Sequence, residues 1–233
     1  MRLRKLPWAR PALEACSFFI KNPTENIGKW RTVFEKDQEI RLELGCGKGG
    51  FISKLASANP DKNFIAVDIK DEVLARAKVK IENEYAGAGA SPGNIALMSH
   101  EIMLIRKMLN EDDAVGRIYI NFCNPWSKNT LKKRRLTHPV QLEQYKTFLV
   151  PGGQIWFKTD DLPLFTDSVG YFEQCGFSIA YLTQDLHGSG FEPNIETEHE
   201  QMFSSQGMKI NFLIAQSSRR PQSPSLTDTF AAT

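Results

Sequence analysis

Cysteine is scarce in this sequence, and its copies are far apart. The four cysteines, Cys16, Cys46, Cys123 and Cys175, form no C-x-x-C pair among the 233 residues. Zinc sites and disulfide frameworks both need closely or regularly spaced cysteines. We therefore expect no metal site and no disulfides, and we expect a cytoplasmic location, where thiols stay reduced.

The sequence also lacks long apolar runs and an excess of charge of one sign. No apolar run reaches the ~18 residues that a transmembrane helix needs, so we expect no membrane association. The basic segment Met1–Trp8 lacks the apolar stretch of a secretory signal. Since 29 Lys and Arg face 27 Asp and Glu, for a net charge of +2, any signal for a nucleic-acid partner must be local.

Apolar runs and helical stretches alternate along most of the chain. The expected strands are 40–44, 63–67, 95–98, 117–122, 154–158, 178–182 and 209–215. The expected helices are 49–58, 71–84, 101–109, 138–149 and 162–175. This alternation predicts an α/β fold of the Rossmann-like type, with seven mostly parallel strands. No convincing helix separates the last two strands, which predicts a reversed last strand at the sheet edge.

The ends of the chain differ in composition from its centre. Residues 1–38 are polar with a few aromatic anchors, and we expect an N-terminal extension that packs on or near the domain. Residues 39–216 hold the alternating pattern of the domain itself. Residues 217–233 are poor in apolar side chains, which predicts a flexible tail.

A glycine-rich turn follows the first expected strand. Gly45, Gly47 and Gly50 match G-x-G-x-x-G, and Asp68 ends the next strand, as a partner of a ribose diol would. Glu43 lies two residues before the first glycine. A carboxylate there opposes a pyrophosphate but suits the ammonium and sulfonium of S-adenosylmethionine, so the turn favours that cofactor over NAD. A glycine turn without any ligand remains the plain alternative.

A second cluster follows the fourth expected strand. Asn124 is held extended by Pro125, and Trp126 offers a ring that can stack on a base. Cations follow within a few residues: Lys128, Lys132, Lys133, Arg134 and Arg135. Such a run is typical either of a solvated loop or of contacts with an RNA backbone, and its position beside the glycine turn favours RNA.

These segments resemble the bacterial tRNA (guanine-N(7)-)-methyltransferases over about residues 35–215. The specific matches are an Asn-Phe, an X-Pro-Trp, a lysine two residues later, and a basic run that ends in Lys-Arg-Arg. Asn94–Glu101, Lys158–Asp160 and Thr197–Glu200 agree as well. The resemblance implies a class I methyltransferase that methylates N(7) of a guanosine at position 46, in the variable loop of tRNA.

The resemblance also implies roles for single residues. Glu43, Gly45, Gly47, Asp68, Glu101 and Asn124 would bind S-adenosylmethionine, and Lys128, Asp160, Thr197 and Glu200 would line the guanosine site. Glu101 has the alternative of an ordinary N-terminal helix residue, and Asp161 competes with Asp160 for the inward position. Thr197 to Glu200 also reads as a capping box. His187 and His199 show no pairing that marks a ligand or a base.

The family carries a catalytic aspartate where this sequence has Asn124. An amide is no base, but N(7) already presents a lone pair, so we expect Asn124 to act as the catalytic residue by orientation, in a slower enzyme. Three alternatives stay open: methylation of an exocyclic base amine, a tRNA-binding homologue without turnover, and an NAD-dependent oxidoreductase. The oligomeric state is expected to be a monomer or a homodimer.

Overall fold

A computed structural model describes residues 5–218 of the chain. The basic residues 1–4 and the tail 219–233 lie outside the described residues, so the expectations for these two ends have no counterpart in the structure. The proposed domain boundaries near 38 and 216 stay predictions.

The described residues form one eight-stranded sheet with helices on both faces. The strands are β1 (Phe19–Ile20), β2 (Ile40–Leu44), β3 (Asn63–Asp68), β4 (Ile95–Ser99), β5 (Val115–Asn121), β6 (Leu149–Thr159), β7 (Phe177–Thr183) and β8 (Asn211–Ser217). The α-helices are α1 (Ala9–Glu14), α2 (Gly50–Ala58), α3 (Asp71–Gly87), α4 (Pro139–Tyr145), α5 (Leu162–Gln174) and α6 (Glu198–Ser204). Short 3₁₀ segments occupy Pro23–Asn26, Trp30–Thr32, Ile102–Lys107, Glu111–Asp113 and Asn129–Arg134.

The strand order is β1-β4-β3-β2-β5-β6-β8-β7. All neighbours pair in parallel except β8, which runs antiparallel to both β6 and β7. This order confirms the Rossmann-like α/β fold with an antiparallel last strand. The carboxyl ends of β2, β3, β4, β5 and β6 therefore meet along one edge, where sheets of this kind bind ligands.

The position of the last strand differs from the prediction. β8 lies between β6 and β7 rather than at the sheet edge, and its residues 211–215 are all buried. β7 forms the edge instead, and its alternating burial is typical of a strand with one exposed face. The eighth strand, β1, was not predicted, because its two residues, paired with Leu97 and Met98, are too short to show a period.

Three helix predictions also need correction. Residues 101–109 form a 3₁₀ segment, Ile102–Lys107, that is kinked at Leu104. The helix expected over 138–149 ends at Tyr145, because the chain must turn into β6 at Leu149. The stretch before β8, expected to contain no helix, holds α6.

Two large clusters of buried side chains hold the helices to the sheet, one on each face. Trp30, from the predicted N-terminal extension, is fully buried, and its indole N–H donates to the Met108 carbonyl at 2.6 Å. The full burial of a Trp side chain stabilises the fold by roughly 3 kcal/mol. Residues 5–38 thus brace the sheet that carries the site.

Candidate active site

The glycine turn connects β2 to α2 at the ligand-binding edge. Gly45, Gly47 and Gly49 all have positive φ, at 81°, 54° and 76°, which other residues rarely adopt. A Cβ on Gly49 would also lie 2.8 Å from the Cβ of Ala77, so glycine is required for α2 to pack against α3. Gly45 and Cys46 both donate backbone N–H groups to the Val67 carbonyl at 2.9 Å, which ties the turn to β3.

Glu43 is buried directly beneath this turn. Its side chain is only 2% exposed, and Oε1 accepts a hydrogen bond from Asn121 Nδ2 at 3.0 Å. Oε2 has no hydrogen-bond partner within residues 5–218. Burial raises the pKa of Glu43 to about 7, and the nearby Asp68 carboxylate adds to the rise against the opposing Asn121 bond. A buried carboxylate with an unused oxygen stabilises a cationic group that reaches it.

Asp68 ends β3 on the other side of the turn. Its Oδ2 accepts from the Gly47 backbone N–H at 3.1 Å, and Oδ1 accepts from Lys70 N–H at 3.1 Å. A carboxylate oxygen has more than one lone pair, so each oxygen can accept one further donor. Asp68 is half-buried and lines an open cavity, as a group that binds ribose hydroxyls requires.

Two adjoining cavities run along the carboxyl edge. The larger one, about 660 Å³, brings together the predicted residues Gly45, Asp68, Glu101 and Asn124. The smaller one, about 280 Å³, is lined by Glu43, Gly45, Gly47 and Thr197. They share Gly45, Asn121 and Phe122, so all six residues predicted to bind the cofactor surround one continuous region. Glu101 is exposed and makes no side-chain cap, which leaves its carboxylate free to face a ligand.

The segment around Asn124 is bent sharply at the edge of this region. Phe122 and Trp126 have positive φ, at 50° and 42°, which is strained for bulky residues and is found mainly at functional sites. Asn124 is exposed, and its Oδ1 accepts from the Trp126 backbone N–H at 3.0 Å. Asn124 therefore keeps its NH₂ group and one carbonyl lone pair without a partner among residues 5–218.

Asp160 and Asp161 have separate roles at the end of β6. Asp161 caps α5, because its Oδ1 accepts from Leu164 N–H at 2.7 Å. The half-buried carboxylate of Asp160 accepts no hydrogen bond from any described residue, which leaves it available at the carboxyl edge. Lys128 is exposed and precedes the 3₁₀ turn Asn129–Arg134.

Thr197 and Glu200 form a true capping box at the start of α6. Thr197 Oγ1 accepts from Glu200 N–H at 2.9 Å, and Glu200 Oε2 accepts from Thr197 N–H at 3.4 Å. Glu200 is fully buried, and Lys158 Nζ donates to the same Oε2 at 2.9 Å. Its Oε1 accepts from Asn194 Nδ2 at 2.7 Å and lies 3.0 Å from His187 Nε2.

The expected role of Glu200 in the guanosine site stays a prediction, because this network occupies Glu200 in the structure. Both oxygens of Glu200 are occupied, and no part of it is exposed, so it anchors the loop before α6. His187, expected to be unpaired, belongs to the same network. Burial lowers the pKa of Lys158, although Glu200 acts to raise it. Of the two predicted residues in this motif, Thr197 alone lines a cavity of the site.

The predicted RNA-binding cations divide into two groups. Arg135 is only 2% exposed and donates to Asp167 Oδ2 at 2.6 Å and to the Pro125 carbonyl at 2.7 Å. The Arg135 guanidinium is thus buried and paired in this structure, and its contact with an RNA phosphate stays a prediction. Lys132 also binds Asp167, at 2.9 Å, and is half-buried. Lys133 is exposed, and so is Arg134, whose guanidinium lies 5.3 Å from the ring centre of Trp126.

Sequence reasoning assigned no role to three residues that line the site. Asn121 orients Glu43 and lines both cavities, and its only signal was the Asn-Phe of the family motif. Phe122 stacks on His199 at 5.9 Å between ring centres, with 20° between the planes. Both rings line the smaller cavity. This platform joins residues 77 positions apart, so no local pattern predicts it.

Comparisons with known proteins agree with this geometry. Residues 37–213 match the family model described as "Putative methyltransferase". A tRNA (guanine-N(7)-)-methyltransferase of Acetivibrio thermocellus is 74% identical over 93% of this chain and 99% of its own length. The enzyme of the same name from Clostridium beijerinckii is 60% identical over 92% and 98%. This chain belongs to the tRNA (guanine-N(7)-)-methyltransferase family.

Solved structures support the fold of this family member at lower identity. The 16S rRNA methyltransferase KamB matches with a TM-score of 0.55 and 17% identity, over 78% of this chain and 88% of its own. An antibiotic-related methyltransferase matches with a TM-score of 0.56 and 14% identity over the same shares. Within residues 5–218, no helix is long and apolar enough to cross a membrane, and no three potential metal ligands cluster.

Proposed function

We propose that this protein transfers a methyl group from S-adenosylmethionine to N(7) of a guanosine at position 46 of tRNA. The observation that carries the proposal is the unpartnered, buried oxygen of Glu43 beneath the glycine turn, in a cavity continuous with that of Asn124. The names of the close relatives support tRNA as the substrate and N(7) as the acceptor.

The residues present fit S-adenosylmethionine. Glu43 Oε2 would accept from the ammonium of its methionine part, and Asp68 would accept from the ribose hydroxyls. Glu101, with Ile102 and Met103 beside it, would face the adenine end of the larger cavity. When bound, the cofactor supplies a methyl group made electrophilic by its sulfonium.

Methylation of guanine N(7) requires little acid–base catalysis from the protein. N(7) of guanine presents a lone pair, so the protein does not have to remove a proton before the transfer. Its task is to hold the guanine in line and to stabilise the positive charge of the product ring. Asn124 offers the remaining carbonyl lone pair for this charge, and Asp160 offers a free carboxylate. The stack of Phe122 and His199 offers a flat surface for the base.

The exposed cations beside Asn124 would bind RNA phosphates; they are Lys128, Lys133 and Arg134. Phosphate contacts release counterions, so we expect tRNA affinity to fall steeply between 50 and 200 mM salt. Flat binding over this range would remove the electrostatic part of the proposal. We also expect Lys128→Ala to reduce methylation strongly without unfolding the chain, and unchanged kinetics would remove Lys128 from the site.

The direct test is methylation of bulk tRNA from a strain that lacks this modification, with labelled cofactor and mapping of the modified nucleoside by mass spectrometry. We expect 7-methylguanosine at position 46. A methylated exocyclic amine would instead support the alternative acceptor, an amino group of a base. The segment Asn124–Trp126 suggests that alternative because it resembles the Asn-Pro-Pro-aromatic motif of methyltransferases that act on such amines. Binding of tRNA without any transfer would identify a homologue that has lost turnover.

A matched variant tests the account of Asn124. Asn124→Asp keeps the acceptor for Trp126 N–H and adds a negative charge beside the product ring. We expect kcat to rise several-fold, with little change in KM for tRNA. A lower turnover of Asn124→Asp on unmodified tRNA would contradict this account.

A further inference from the structure

A third cavity, of about 330 Å³, lies on the Glu43 face of the sheet and has no part in the proposed reaction. We name it the arginine chamber after Arg41 and Arg117, which lie near the starts of β2 and β5. It shares Asn121 and Phe51 with the smaller cavity of the site. From there the chamber extends away from the carboxyl edge, beneath the loop segment 191–195.

Two guanidinium groups converge inside this chamber. Arg41 Nη1 and Arg117 Nη1 lie 3.5 and 3.4 Å from the same atom, the hydroxyl oxygen of Tyr119. The exposed Glu39 binds Arg41 at 2.9 Å, whereas Arg117 has no carboxylate partner among the residues that the structure describes. Two cations held this close repel each other unless an anion joins them.

The walls of the chamber are aromatic. The Arg117 guanidinium lies 4.2 Å from the ring centre of Trp156. Trp156 meets Tyr119 and Phe191 edge to face, at 5.8 and 5.5 Å between ring centres. A concave, mostly apolar cavity with a few converging polar groups is the usual form of a small-molecule site, and about 330 Å³ is at the small end of that class.

We propose that the arginine chamber binds a nucleoside monophosphate. The phosphate would bridge Arg41 and Arg117, which present the forked donors that phosphate oxygens match, and the Tyr119 hydroxyl hydrogen would add a third donor. The base would lie against Trp156 and Phe191, and the cavity leaves room for one nucleotide. The ligand is either a free nucleotide or a terminal nucleotide of an RNA.

The test is calorimetric titration of the full chain with AMP while S-adenosylhomocysteine saturates the cofactor cavity. We expect one AMP site, and we expect adenosine and inorganic phosphate each to bind at least tenfold more weakly than AMP. Arg117→Gln is expected to weaken AMP binding at least tenfold. The control Arg76→Gln, an exposed arginine on α3, is expected to bind AMP like the parent chain.

Three results would overturn the proposal. They are no AMP binding at millimolar concentration, equal binding by Arg117→Gln and the parent, and a loss of AMP binding in Lys128→Ala but not in Arg117→Gln. The last result would place AMP in the guanosine site. If Arg117→Gln unfolds, Phe191→Ala carries the same expectation from the opposite wall of the chamber.

Added tRNA identifies the source of the nucleotide. Displacement of AMP from the parent chain by tRNA would show that an RNA nucleotide occupies the chamber, and retention of AMP would show that a free nucleotide does. The titration without RNA needs no methyl transfer, so it can succeed whether or not the chain methylates tRNA, and Arg117→Gln distinguishes AMP in the chamber from AMP in the cofactor cavity.

Discussion

Glu43 and Glu200 are two buried carboxylates with opposite surroundings. Glu43 has one hydrogen-bond donor and one unused oxygen, and it faces a cavity. Glu200 has both oxygens occupied, by Lys158, His187, Asn194 and its own capping box. An unsatisfied buried acceptor costs free energy, so a bound cation can stabilise one that faces a cavity, whereas an acceptor with all its partners is typical of a structural anchor. Burial alone does not distinguish these two roles.

The largest effect should come from removing the satisfied carboxylate. Glu200→Ala leaves the Lys158 ammonium buried without its anion, and we expect the free energy of unfolding to fall by about 3–5 kcal/mol. Urea denaturation measures this loss. The control Glu173→Gln, on the exposed side of α5, should change it by less than about 0.5 kcal/mol. Unchanged stability in Glu200→Ala would contradict the structural role that distinguishes Glu200 from Glu43.

Glu43→Gln should instead lower cofactor affinity without harming the fold. Loss of a buried partner of the ammonium costs about 2–5 kcal/mol, so we expect S-adenosylmethionine to bind at least about 30-fold more weakly. Because burial disfavours the ionised carboxylate, the free variant should be as stable as the parent at pH 8, or more stable by on the order of 1 kcal/mol. Calorimetry measures the effect on cofactor affinity, and urea denaturation measures the effect on stability. A destabilised variant with normal affinity would show that Glu43 is a structural residue and not a ligand-binding one.

The raised pKa of Glu43 predicts how cofactor binding depends on pH. In the free protein its carboxyl has a pKa of about 7, and the ammonium of the cofactor requires the ionised form. Above pH 7 the proton is already lost and affinity is full; below pH 7 the proton must be removed on binding. We expect binding at pH 6 to be about tenfold weaker than at pH 8, with proton release seen by calorimetry in buffers of different ionisation heat. Glu43→Gln is the control, and the same pH dependence in that variant would assign the proton to another group.

Through Glu43, the free energy of unfolding falls as pH rises, whereas a carboxylate paired in the folded state makes it rise with pH. Below the unfolded pKa, near 4.5, both states are protonated and Glu43 costs nothing. As pH rises through 4.5 to 7, the unfolded chain loses this proton first, so the folded state loses relative stability, and the cost is complete above pH 7.

The smallest effects sharpen the same contrast among the cations. Arg135 is satisfied and buried, so Arg135→Gln should lower stability by about 1.5–3 kcal/mol. Lys133 is exposed, so Lys133→Gln should leave stability unchanged and reduce tRNA affinity a few-fold, with a salt slope smaller by about one. Filter binding over a salt series measures the tRNA affinity and its salt slope, and urea denaturation measures the stability. Equal effects of the two variants on the salt slope would contradict the separation of the buried Arg135 from the exposed, RNA-binding Lys133.

Local patterns in the sequence were enough for the parts of the site that lie close together along the chain. The glycine turn, Glu43 and Asp68 follow from one βαβ unit, whose right-handed geometry fixes where the carboxyl ends meet. The same patterns did not reveal that Glu200 and Arg135 are buried and paired. Whether a charged residue faces solvent depends on partners far along the chain, such as Lys158 for Glu200 and Asp167 for Arg135.

By itself, the sequence determined the α/β class, the reversed last strand, the sheet edge where Glu43 and Asp68 lie, and the family. These depend on the periodicity of apolar side chains and on short motifs, both of which are local. Only the tertiary structure decided that β8 lies inside the sheet, which charges are buried and paired, and that Arg41 and Arg117 meet at Tyr119. These features bring together residues tens of positions apart, and the packing that joins them leaves no regular spacing along the chain.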